Sequence, residues 1–145
     1  HIRGSFHYLK TTSNQAALQY AVLEGISFGI LDGVNSIKSV NKNLEDIFVV
    51  GGGSRSFFWI QFLSSIINRK LSLCDQSEFG AALGVARLAM FIDKEILNKE
   101  LIIKKINVKN TFYPNNEKTD ILKKRYDIWK NIYSTNKEIG MNFNL

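Results

Sequence analysis

An α/β fold built on a short, mainly parallel sheet is predicted by three features of the chain. Helical and strand-like segments alternate along its 145 residues. The apolar run DIFVV at 46–50 stops at three consecutive glycines. A second short run, KLSLC at 70–74, leads into the small-residue segment GAALGVA. Such alternation gives strands joined by right-handed helical crossovers. Strands covered on both faces read as apolar runs, as DIFVV does, while LSLCD alternates like a buried strand.

Taken in order, residues 3–9, RGSFHYL, alternate weakly and read as a strand. Ser13 offers an N-cap to a helix reaching about Val40, which at ~1.5 Å per residue would span about 40 Å. This segment carries Ala17, Tyr20, Ala21, Glu24, Phe28, Leu31 and Ile37, with apolar side chains on more than one face. It is therefore expected to be largely buried. Gly25, Gly29 and Gly33 form one stripe on it, and Gly80 and Gly84 form another further on. Glycine inside a helix costs ~0.8–1 kcal/mol relative to alanine. A close crossing of the two helices would offset that; a kink is the alternative.

The glycine triplet is followed by a helix over about 55–68, with Phe58, Phe62, Ser65 and Ile66 at helical spacing. Another helix runs from Glu78 to about Phe91. Residues 92–116 turn polar around an apolar stretch, Ile102–Val108, and the single proline, Pro114. A last helix over about 116–137 aligns Leu122, Tyr126, Trp129 and Tyr133 on one face. Interleaved with lysines, that face could stack bases, but its spacing is that of a core face.

The size suits one domain able to bury its own core. Apolar residues are 45% and charged residues 22%, the composition of a globular protein. No apolar run approaches the ~18–20 residues of a membrane span, and no signal-peptide pattern opens the chain. The lone Cys74 excludes an internal disulfide and suits the reducing cytoplasm. The net charge of +6 is spread among acids, so solvated helix faces account for it and neither nucleic acid nor membrane is expected as a partner.

One motif carries chemistry. DIFVV, then Gly51-Gly52-Gly53-Ser54-Arg55-Ser56, then FFWIQFLSSIIN, is strand, glycine loop, helix. Glycines at the carboxyl end of a parallel strand admit close approach to the backbone, and the helix offers unpaired N–H groups. Nucleotides bind at that place in open α/β sheets. A tight turn needing glycine only for its dihedral angles is the competing explanation. No Gly-Lys-Ser/Thr follows, so this is not a P-loop. A dinucleotide fingerprint is a weaker fit: Gly51 and Gly53 match, Ser56 replaces the third glycine, and Asp75 stands near the ribose acid.

The segment VVGGGSRSFFWIQFLSSIINRKLSLCDQSEFGAALGVARLAM resembles the adenosine-motif region of the FGGY carbohydrate kinases. Their pattern is a strand, GGGxxS, a helix, a strand, and a helix opening with an acid and GAALGAAxLA. Upstream, RGSFHYL and AVLEGISFGILDG are similar to the second family signature. The tail YPNNEKTDILKKRYDIWKNIY is similar to the closing helix of xylulokinases. Tyr8 stands where the signature has glycine, and Ala17 replaces a polar residue.

The resemblance implies part of a ribonuclease-H-like domain of the actin and hexokinase type. Residues 1–108 would be the C-terminal part of the second kinase domain, and 109–145 a helical tail packing on it. It implies ATP as cofactor, held by Gly51, Gly52, Gly53, Ser54 and Phe57. Phe57 would act by stacking or packing, and Glu24 of AVLEG would orient local structure. It also implies Mg²⁺ and an Asp general base, held by elements that this chain does not contain. Asp32, Asp46, Asp75 and Asp93 stand in other contexts, and no catalytic or metal-binding residue is assigned here. The chain is thus expected to be a piece of a cytoplasmic sugar kinase, inactive alone. Xylulose is the expected sugar, with ribulose, gluconate or glycerol as alternatives; a non-catalytic interaction module is the alternative from another class. An incomplete sheet also predicts self-association, a homodimer being one form open to the parent.

Overall fold

The computed structural model describes residues 3–40, 46–75, 77–92 and 107–142. They form helix α1 (Gln15–Val40), strand β1 (Ile47–Val49), a 3₁₀ turn (Gly52–Arg55) and helix α2 (Phe57–Ile67). Strand β2 (Leu71–Cys74), a second 3₁₀ turn (Ser77–Phe79), helix α3 (Gly80–Ile92), strand β3 (Val108–Phe112) and helix α4 (Asn116–Asn142) follow. Two compact units result. One holds residues 1–43, the last turn of α2 and residues 115–145; the other holds 44–64 and 68–114. Among the described residues no helix is long and apolar enough to cross a membrane.

The sheet lies in the second unit, ordered β1-β2-β3. β1 pairs with β2 in parallel, Ile47 opposite Leu71 and Val49 opposite Leu73. β3 pairs with β2 antiparallel, Leu71 opposite Phe112. The sheet is therefore mixed, which corrects the expectation of a mainly parallel one. β2 is buried throughout, as expected, whereas β1, also expected to be buried, has Ile47 and Val49 half-buried and Phe48 exposed. Every residue of β3 but Phe112 is exposed, and no alternation in VKNTF advertises the strand.

α2 begins at Ser56, whose Oγ accepts from the Trp59 N–H at 3.3 Å. It ends where Asn68 turns left-handed, φ 53°, and its N–H closes on the Ser64 carbonyl. The fully buried Ser64 hydroxyl lies 2.9 Å from the Arg69 carbonyl and 3.2 Å from that of Phe112, joining the helix end to the strands on either side.

In the first unit the helix N-cap is Asn14, not Ser13. Asn14 Oδ1 accepts from the Ala17 N–H at 2.9 Å, while Ser13 closes a turn with Lys10. Residues 3–9 form no strand: none of the described strands pairs with them, and Tyr8 interrupts the extended chain at φ 57°. Tyr8 is the position where the FGGY pattern has glycine, the residue that takes this angle without strain.

α1 buries Glu24, Ser27, Phe28 and Leu31. Val22, Ile26, Ile30 and Ile37 are exposed, so the helix is not covered all round as expected. Among the described residues, no backbone approaches its glycine stripe. A Cβ at Gly25 would meet only the Trp129 indole nitrogen at 3.8 Å, and Gly29 and Gly33 face open space among the described residues. On α3, Gly84 is likewise open.

Leu122 and Tyr126 of α4 are buried, and Trp129 stacks on Tyr126 with centroids 6.0 Å apart, while Phe28 meets Tyr126 at 5.6 Å. The aromatic face is core here, except for the exposed Tyr133.

Candidate functional site around the glycine loop

The glycine loop departs from the carboxyl end of β1. Gly51 has φ 92° and ψ −177°, a conformation that is in practice glycine's alone. Its N–H donates to the Ser77 carbonyl at 2.7 Å, and its carbonyl accepts from the Ser54 N–H at 3.0 Å. Gly53 lies over the Trp59 indole, where a Cβ would fall 2.6 Å from the ring. A Cβ at Gly52, as at Gly51, would touch nothing within 4 Å among the described residues, and of the three glycines Gly52 alone is exposed.

Beside the loop, at the carboxyl ends of β1 and β2, lies a cavity of about 190 Å³. Ser54, Arg55 and Phe57 line it from one loop, Cys74, Ser77 and Glu78 from the next, and Lys109 from β3. Ser54, 3% exposed, holds its Oγ 3.0 Å from Ser77 Oγ. Arg55 sets both Nε, at 2.8 Å, and Nη2, at 2.6 Å, on Glu78 Oε2. Phe57 is half exposed and presents an edge contact to Phe112, centroids 5.6 Å apart. Gly80 lets α3 approach the end of β1, since a Cβ there would fall 2.9 Å from Val50 Cβ.

Of the five residues predicted to hold a nucleotide, Ser54 and Phe57 line the cavity, while Gly51, Gly52 and Gly53 shape the loop beside it. Sequence reasoning marked Glu78 only as the acid opening the GAALG helix. Arg55, Ser77 and Lys109 were not foreseen, because their places follow from how two loops and an edge strand converge.

Burial, and then the Asp75 carboxylate, push the Cys74 thiol above its ordinary value. It remains a protonated, structural thiol at neutral pH. Among the described residues no group of three or more His, Cys, Asp or Glu is placed to hold a metal ion. Asp32 accepts from the Tyr126 hydroxyl at 2.7 Å, and Asp46 pairs with Lys70 at 3.0 Å. Asp75 is exposed, and Asp93 lies outside the described residues.

A larger groove, about 930 Å³, runs through the first unit between α1, α4 and residues 3–9. Its lining includes Phe6, Val22, Phe28 and Trp129, and its charged pair is self-contained. There Arg125 Nε donates to Glu24 Oε1 at 2.7 Å and Nη2 to Oε2 at 2.6 Å. This two-pronged pairing makes Glu24 a structural anchor for α4.

Comparison with known proteins bears on the whole chain. Residues 1–92 match the C-terminal domain of the FGGY family of carbohydrate kinases. The chain is 30% identical over 139 residues to a xylulose kinase from Staphylococcus epidermidis, covering 95% of this chain and 28% of that protein. Among solved structures, a xyloylose kinase from Brucella ovis superposes with a TM-score of 0.80 at 30% identity, over 95% of this chain and 28% of that one. A glycerol kinase from Plasmodium falciparum, solved with ADP, shares the fold at a TM-score of 0.62 and 24% identity, over 93% of this chain and 27% of that one. The chain therefore spans under a third of the length of these relatives.

Proposed function

The chain belongs to the FGGY family of carbohydrate kinases, and on that premise we propose that it forms the nucleotide-side part of an ATP-dependent sugar kinase. The observation that carries this reading is the exposed Gly52 just beyond the carboxyl end of β1. It stands in a loop whose neighbours, Gly51 and Gly53, are each fixed by backbone angle or packing. Gly51, Gly52 and Gly53 would accept the nucleotide's close approach, with Ser54 and Phe57 beside the base. Residues 1–108 would be the body of the domain and 109–145 its tail, which completes strand β3 before helix α4, within a ribonuclease-H-like framework. A kinase domain also displaces the dinucleotide-binding alternative.

The reaction in the parent would move the γ-phosphoryl group of ATP to a hydroxyl of D-xylulose, giving D-xylulose 5-phosphate and ADP. The xylulose kinases at 30% identity support that sugar. On the family resemblance, the general base and the Mg²⁺ ligands would be supplied by residues outside this chain. Transfer requires such groups to be held in line with the reacting oxygen.

Titration with the fluorescent analogue N-methylanthraniloyl-ADP tests the site. Saturable binding, displaced by ADP and ATP, is expected. Gly52→Val should weaken it about ten-fold, the loss from a side chain intruding on a close backbone contact, with the melting temperature held within about 3 °C. Equal affinity of the variant and the unsubstituted chain would refute the assignment.

A further inference from the structure

The loop carrying Gly51–Gly53 is tied to the loop between β2 and α3 by three neighbouring contacts. The Gly51 N–H donates to the Ser77 carbonyl at 2.7 Å. The Ser54 and Ser77 hydroxyls lie 3.0 Å apart, with Ser54 buried. The Arg55 guanidinium places two N–H groups on one oxygen of Glu78. The β1–β2 ladder itself ends at Val49 opposite Leu73. Beyond that point these contacts join the two loops, beside the packing of Val50 against Gly80.

Resting on the nucleotide reading above, we propose that Arg55 and Glu78 are positioning residues: their ion pair locks the two loops into one wall of the nucleotide site. The Arg55 side chain is 74% exposed and that of Glu78 37%. An exposed pair of this kind contributes at most about 1 kcal/mol to folding, so its effect falls on loop geometry more than on the fold. Arg55 is also neutralised, and its guanidinium is directed at Glu78. It serves the site through Gly51 and Ser54, without contact to phosphate.

Charge reversal and charge exchange separate this role from a merely structural one. Arg55→Glu and Glu78→Arg are each expected to speed hydrogen exchange at the Gly51 amide. Each should also weaken N-methylanthraniloyl-ADP binding about three- to ten-fold, with the melting temperature within about 3 °C. The double exchange, Arg55→Glu with Glu78→Arg, should recover both. Single variants with unchanged Gly51 exchange, or a double variant that recovers nothing, would overturn the lock. Equal nucleotide affinity in all four proteins, with exchange following the charges, overturns the positioning role. Exchange that follows the charges while the unsubstituted chain binds no nucleotide upholds the lock and sinks the nucleotide reading instead.

Discussion

The three glycines of the loop differ in what each one's missing side chain permits. At Gly51 it permits a backbone angle, φ 92° with ψ −177°; at Gly53 it makes room for Trp59; at Gly52 it leaves the backbone uncovered. Gly51→Ala is expected to cost about 1–3 kcal/mol of stability, the strain of a side chain in that region. Urea denaturation reads this as a lower midpoint with unchanged slope, and an unchanged midpoint would contradict the angle assigned to Gly51. The sequence alone left a ligand-binding loop and a strained turn as alternatives. The structure fixes Gly51 by its backbone angle and Gly53 by its packing on Trp59, and leaves Gly52 exposed, the residue on which the proposed ligand approach rests. No pattern of residue types could have divided them, since all three letters are the same.

The pairing of α1 with α4 rests on polar contacts as well as on the aromatic cluster. Glu24 grips Arg125, and the Tyr126 hydroxyl donates to Asp32. Burial, and then that hydrogen bond, raise the Tyr126 phenol above its ordinary 10.0; burial likewise raises Tyr20. The unfolded chain ionises these phenols first, so their contribution is complete below about pH 10 and is lost as pH rises through the raised values. Stability measured by urea between pH 9 and pH 11 should therefore fall, and Tyr126→Phe should reduce the slope; a flat profile would contradict the shift. The long helices were legible from periodicity, since each repeats its pattern over several turns. β3 was not, because its residues are exposed and its only described pairing is at a sheet edge. The expected strand at 3–9 failed for the opposite reason: an alternating pattern was present, but no described strand lies beside it. Glu24 was expected to orient local structure; its partner, 101 positions away, was beyond any local pattern.

Across the molecule, apolar side chains are exposed in number. Val22, Ile26 and Ile30 make one stripe along α1, four residues apart, opposite its buried face. Surface of that kind favours association in water. Sedimentation velocity should show an average mass that rises with protein concentration, and Ile26→Lys should reduce the rise. A single monomer peak at every concentration would contradict it. The chain spans 28% of the length of the S. epidermidis kinase. What it should retain is the nucleotide side of the site, and amide NMR of the labelled chain titrated with ADP tests that most directly. The largest shift changes are expected at Gly51, Gly52, Gly53, Ser54 and Phe57, with smaller ones at Ser77 and Glu78. Shift changes confined to residues elsewhere, or none with ADP in large excess, would contradict it.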